Sequence, residues 1–245
     1  MTTLSTLRGL PFYFRDLALL MTQRRRSSRP FAFGPAFVCV GEKHAAGGSA
    51  RGHYFYQDLL VAGRIHSNAP RRHIDVGSRV DGFVAHVASY RQIEVLDIRP
   101  MKRNVKNITF IQGDLMTDLA PDLVQCTDSL SCLHALEHFG LGRYGDSVDH
   151  DGYIKGFENL TRMLEPRGRL YLSVPIGPQR IEFNAHRVFS VGTILEMFAQ
   201  AFVVERVSFV DDEGELHEDV ALTPEAIKAN FDCRYGCGIF ELTRS

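Results

Sequence analysis

The sequence predicts an α/β fold: a doubly wound, mostly parallel seven-stranded sheet that ends in an antiparallel hairpin. Three observations carry this expectation. From residue 71 onward, short apolar runs alternate with stretches of helical spacing, the rhythm of βα units. The run Ile74-Asp75-Val76 breaks into a tight turn at Gly77 and then into a helical pattern. Two late apolar runs, separated by a polar insert, supply the hairpin.

Residues 1–30 read as one helix and a polar, arginine-rich linker ending at Pro30. Its apolar stretch, Leu17 to Met21, precedes the cluster Arg24-Arg25-Arg26, the reverse of a signal peptide. It is expected to be an amphipathic helix packed on the domain, with weak peripheral membrane contact as the alternative. A strand is expected at Ala36 to Val40, and a loop at residues 45–50. His53 to Arg64 has helical spacing of Tyr56, Leu59, Leu60 and Gly63. Residues 1–69 thus form an N-terminal segment of helices and linker, and residues 70–245 the main domain.

The expected strands are His73–Val76, Ile93–Ile98, Ile108–Gln112, Thr127–Leu133, Arg169–Val174, Phe202–Phe209 and Gly238–Leu242. Helices are expected near Phe83–Tyr90, His134–Phe139, Gly152–Leu164 and Val191–Ala199. Within the insert Asp211 to Asp232, Thr223-Pro224-Glu225 has the cap, the first-turn proline and the dipole-matching acid of a helix start.

Composition narrows the function. The 245 residues are 44% apolar, enough for a sizeable core. A net charge of -1 without a basic stripe excludes the usual nucleic-acid binder. No apolar run reaches the ~18–20 residues of a membrane span. Five cysteines without framework spacing indicate a reducing, cytoplasmic setting. Cys233 and Cys237 lack a second pair, so they read as inert thiols rather than a zinc knuckle. Oligomeric state leaves no signal in the sequence.

The chemistry concentrates at strand ends. Asp75-Val76-Gly77-Ser78-Arg79-Val80-Asp81-Gly82 places a glycine where backbone can approach a ligand. Asp97 ends the next strand, where an acid can accept both ribose hydroxyls of an adenosine. Gly113-Asp114-Leu115 follows a third strand, with Asp114 in reach of an adenine amino group.

The order Asp75-x-Gly77, Asp97, Gly113-Asp114, then Leu136-Glu137-His138 and His186-x-x-Phe189-Ser190, resembles class I S-adenosylmethionine-dependent methyltransferases. The resemblance covers roughly residues 70–210. His53-Tyr54-Phe55-Tyr56-Gln57, Gly77-Ser78-Arg79 and Ser131 to Asp146 are similar to a branch known chiefly as a domain of unknown function, associated with surface-polysaccharide genes. It implies a Rossmann-like sheet, S-adenosylmethionine as cofactor, and a small-molecule or glycan acceptor. The implied cofactor contacts are Asp75, Gly77, Ser78, Arg79, Gly82, Asp97, Asp114 and Leu115. This turn departs from Asp/Glu-x-Gly-x-Gly-x-Gly: Arg79 and Asp81 replace two glycines. Arg79 is expected either to pair with the methionine carboxylate or to lie exposed beside Asp81.

Methyl transfer to a hydroxyl needs a base, and His138 and His186 are the candidates, with Glu137 orienting a histidine or contacting substrate or cofactor. Arg143, Tyr144, Asn184 and Arg187 are expected to hold the acceptor. A nicotinamide enzyme fits less well, because Arg79 stands where its fingerprint needs a glycine. A silent binding module is the other alternative. His134-Ala135-Leu136-Glu137-His138 matches a zinc-helix pattern. Gly140 and Gly142 stop that helix too early, so no metal is assigned, although the nearby histidines and acids leave room for a cation.

Overall fold

The computed structural model describes residues 3–29, 31–41, 43 and 45–245; Pro30, the expected end of the linker, lies outside them. The chain divides into two units, Met1–Ser49 and Ala50–Ser245. In the first, α1 spans Thr3–Arg24. Ala36 to Val40 is not a strand: among the described residues of that unit no strand pairs with it, and Phe37 and Val38 stay exposed. Asp16 pairs with Arg15 and Lys43, and the Lys43 ammonium lies 4.8 Å from the Phe12 ring centre. No described helix is long and apolar enough to cross a membrane.

The second unit opens with α2 (His53–Asn68). It then runs β1 (His73–Val76), α3 (Ala85–Ala88), β2 (Ile93–Asp97), β3 (Ile108–Gln112), β4 (Thr127–Leu133) and α4 (Gly152–Met163). β5 (Leu164–Ile176), β6 (Arg180–Glu182), β7 (His186–Val188), α5 (Val191–Phe198), β8 (Phe202–Val210), β9 (Leu216–His217), α6 (Pro224–Ala229) and β10 (Gly236–Arg244) complete it. The main sheet has the order β3-β2-β1-β4-β5-β10-β8-β9. β3 through β5 pair in parallel, while β10 lies antiparallel between β5 and β8.

The α/β doubly wound architecture is therefore the expected one, with eight strands instead of seven. The extra strand, β9, pairs two residues with Phe209 and Val210 and is too short to show a period. The segment between β5 and α5 contains the hairpin β6–β7. Thr223 caps α6 as expected, its hydroxyl accepting from the Ala226 amide at 3.2 Å.

Alternation along the central strands separates two cores. Ile74, Val76, Leu130, Cys132, Leu170 and Leu172 pack with Phe157 and Leu160 of α4 and Ile194 and Phe198 of α5. On the opposite face Val95, Leu133, Tyr171 and Ile239 pack with Val61, Ala62 and Ile65 of α2. That second face also carries a buried polar stripe: His73, Asp75, Ser129, Ser131 and Ser173. α2 meets it with buried Gln57 and Asp58. The helical face expected at Tyr56, Leu59, Leu60 and Gly63 is thus corrected. Leu59 is exposed, and the buried row is Gln57, Asp58, Val61, Ala62 and Ile65.

The chain leaves β1 at Gly77, whose φ of 73° suits glycine and whose absent Cβ would stand 2.9 Å from the Ala135 Cβ. Its amide continues the ladder by donating to the Leu96 carbonyl at 3.0 Å. Gly77→Ala should lower the unfolding free energy by at least about 1–2 kcal/mol, the cost of left-handed backbone for a residue with a Cβ. Urea titration checks this; an unchanged midpoint would contradict the tight packing of turn on turn.

Candidate active site

Four parallel strands end along one edge, and their register aligns their tips: Val76 pairs with Leu96, Asp97 with Gln112, and Asp75 with Ser131. The order reverses between β1 and β4, the place where open α/β sheets leave a crevice at their carboxyl ends. A cavity of about 580 Å³ opens there. Gly77, Asp97, Asp114 and His134, each from a different strand tip, lie in its wall, as do Tyr54 from α2 and Tyr235 from the segment before β10.

Asp75 is wholly buried beneath this cavity rather than in its wall. Its Oδ1 accepts from the hydroxyls of Ser78 at 2.7 Å and Ser131 at 2.6 Å, and its Oδ2 from the Ser78 amide at 3.1 Å. The Ser131 hydroxyl also lies 3.2 Å from His73 Nε2, and His73 Nδ1 lies 2.7 Å from the Ser129 hydroxyl. Burial pushes Asp75 up to about 7 despite its three hydrogen bonds, and pushes His73 down to about 3, so His73 is neutral.

On the far side, His134 leaves β4 with a left-handed φ of 49°. The expected helix at His134–Phe139 shrinks to one tight turn, Leu136–His138, so His134 and His138 do not share a helical face. His134 Nδ1 lies 2.8 Å from Glu137 Oε1. Burial opposes charge on both; His134 outweighs it at Glu137, lowering the carboxyl's pKa, while Cys237 and Glu137 raise that of His134. His138 donates Nδ1–H to the Ala185 carbonyl at 2.6 Å, leaving Nε2 as an acceptor. Burial lowers the His138 pKa, against Glu137, and keeps it neutral. A neutral imidazole at a cavity wall, its unprotonated Nε2 3.6 Å from Glu137 Oε1, is equipped to take a proton. His186 packs 6.4 Å from the His138 ring, with its Nε2 3.2 Å from Glu182.

The structure brings together Gly77, Arg79, Asp97, Asp114, Leu115, Glu137, His138, Arg143, Tyr144 and His186 around one cavity. Five expected contacts do not line it. Asp75 and Ser78 bond to one another below the turn. Gly82 packs on α2, where a Cβ would stand 2.8 Å from Asp58 Oδ2. Asn184 takes the left-handed position, φ 60°, in the β6–β7 turn. Arg187 is buried and donates to the carbonyls of Phe139 at 2.6 Å and His150 at 2.9 Å, bracing the loop after β4. In that loop Asp146 accepts from the amides of Gly140, Gly142 and Tyr144. Arg79 is exposed and paired with Asp81 at 2.9 Å, with its guanidinium 5.7 Å from the Tyr54 ring centre.

Sequence reasoning missed Arg99, Tyr54 and Tyr235 as cavity residues. Arg99 donates to both Asp97 oxygens, Nη2 to Oδ2 at 2.6 Å, and stacks 4.5 Å from the Tyr144 ring centre. Only its position two residues past a strand-end acid pointed to it. Tyr235 has no local signal, since β10 brings it from far along the chain.

The sheet order and the cavity at the strand tips define a Rossmann-like fold, and solved class I methyltransferases share it. N-methyltransferase NodS from Bradyrhizobium japonicum WM9, in complex with S-adenosyl-L-homocysteine, superposes with a TM-score of 0.51 at 14% identity, over 79% of this chain and 88% of that one. The 1,6-didemethyltoxoflavin-N1-methyltransferase of Burkholderia thailandensis gives 0.53 at 15% identity, over 77% and 78%. A putative sarcosine dimethylglycine methyltransferase from Galdieria sulphuraria gives 0.52 at 16%, over 78% and 86%. No curated protein matches the sequence. The chain belongs to the family described as Caenorhabditis protein of unknown function, DUF268, whose family model matches residues 90–231.

Asp75 sets a pH dependence. Its proton is held more tightly in the folded chain, at about 7, than at its ordinary 3.8, so its contribution to stability is complete below the lower value and is lost as pH rises through the higher. The stability difference between wild type and Asp75→Asn should therefore change by about 3–4 kcal/mol between acid and neutral pH. Denaturant unfolding across that range checks it; a constant difference would remove the buried carboxyl from the account.

Proposed function

We propose that this protein binds S-adenosylmethionine across the strand tips and transfers its methyl group to a small polar acceptor, the hydroxyl of a sugar or glycan precursor. The observation that carries the reading is the convergence of Gly77, Asp97 and Asp114 on one cavity at the switch point of the sheet. The cavity's 580 Å³ falls within the roughly 300–1,000 Å³ of small-molecule sites. The fold agrees with that of structures solved with S-adenosylhomocysteine.

When bound, the cofactor supplies an already activated methyl group. Asp97 accepts the ribose hydroxyls, sharing its oxygens with Arg99 or displacing that side chain. Gly77 lets the backbone approach, and Asp114 takes the adenine amino group. His138 Nε2 accepts the acceptor's proton as its oxygen is methylated. Tyr54, Tyr144 and Tyr235 offer ring faces, and Arg143 a charged donor, in a combination suited to a sugar ring.

One observation favours a second reading, a silent binding module: Arg99 already occupies both oxygens of Asp97. Calorimetry with S-adenosylmethionine and mass analysis of methylated sugar products separate the two. Binding with turnover supports methyl transfer, and absence of binding at high micromolar cofactor defeats it.

Asp97→Ala should weaken cofactor binding by about 1–3 kcal/mol, the scale of charged hydrogen bonds. Unchanged affinity in a folded variant would remove Asp97 from the site. His138→Ala should cut turnover about 10²–10⁴-fold with cofactor affinity intact. Near-normal turnover would pass the proton to His186 or to solvent.

A further inference from the structure

We propose that His53, His134 and Cys237 bind one Zn²⁺ ion, with Glu137 as the carboxylate that orients His134. The three donors come from separate elements: the first residue of α2, the residue after β4, and β10. Their ligand atoms all lie within 4.8 Å of one another. Ligands of a tetrahedral zinc with bonds of about 2.0–2.3 Å stand roughly 3.3–3.8 Å apart, so closure needs side-chain shifts of about 1 Å. The His53 and His134 rings stack 5.3 Å apart with 4° between their planes, so a ring must also turn for both nitrogens to face one ion.

His134 provides the second, independent observation. The residue is 8% exposed, and its Nε2 is buried without a hydrogen-bond partner. Its Nδ1 is taken by Glu137 at 2.8 Å. A histidine that gives one ring nitrogen to a carboxylate and keeps the other for an ion is the common arrangement of metal-bound imidazole. Behind the third donor the Cys237 thiol donates to Gln57 Oε1 at 3.7 Å, a bond given up when the sulfur loses its proton to bind an ion.

The donor set selects the ion. Two imidazoles and a sulfur favour zinc over magnesium or calcium, which prefer oxygen. Three protein donors leave a tetrahedral ion one position, the pattern of zinc sites that act on a ligand rather than merely brace the fold. His134 and Glu137 line the large cavity, so that position is taken by water or by an oxygen or sulfur of the molecule held there. The site does not use the His134 and His138 pair read from the sequence, which the tight turn after β4 separates.

The test measures metal directly, and calorimetry with S-adenosylmethionine runs beside it, so either reading can fail alone. The full chain, loaded with zinc and desalted, should retain about one equivalent by mass spectrometry. With Co²⁺ in its place, a sulfur-to-cobalt charge-transfer band should appear in the near ultraviolet and vanish in Cys237→Ser. His53→Ala, at a half-buried helix start, should weaken zinc binding at least about 10²-fold, and Glu137→Gln about 10–100-fold. Retention of less than about a tenth of an equivalent overturns the site. So does a cobalt band that survives Cys237→Ser, or unchanged zinc affinity in a folded His53→Ala.

Discussion

The Asp75 carboxyl is the contact on which the cavity rests. It lies between the turn that leaves β1 and the middle of β4, and bonds to both through Ser78 and Ser131. This tie joins the two strands that flank the switch point. Gly77 can then pack against Ala135 and continue the ladder to Leu96. A buried carboxyl of this kind is costly to ionise, and its three donors offset only part of the cost. The polar stripe running through His73, Ser129 and Ser131 is the arrangement that makes its burial tolerable.

The opposite wall is organised by a cation instead of an acid. Arg187 sends its guanidinium beneath the loop after β4 and satisfies the Phe139 and His150 carbonyls. Asp146 gathers three amides of the same loop. The loop is thus held by these two side chains, and Arg143 and Tyr144 lie at the cavity wall. Arg187, expected to hold the acceptor, instead braces the loop that forms the cavity wall.

How far the sequence could be read depended on whether a residue's role is local. Strands β1 to β4 were legible within a residue or so, because apolar runs bounded by Gly and Asp leave few other structures open. Asp97 and Asp114 were legible because strand ends in a parallel sheet all face one edge. The face of α2 was not legible, because Gln57 is buried to accept from Ser173 and Asp58 to accept from Gln57, and no period in the helix reports that. Nor was the role of Arg187, since its partners are backbone carbonyls, which every residue has.

The sequence by itself determined the parallel sheet, the position of the crevice and the acids at its rim, since these follow from periodicity and from the chirality of strand–helix–strand units. Tertiary structure alone decided which polar groups meet. It sank Asp75 below the floor, laid Arg99 across Asp97, and brought His53, His134 and Cys237 within ligand distance from three parts of the chain. The physical reason is range. Backbone preferences act over a few residues, whereas hydrogen-bond satisfaction in a buried interior is settled among side chains that only the closed fold makes neighbours.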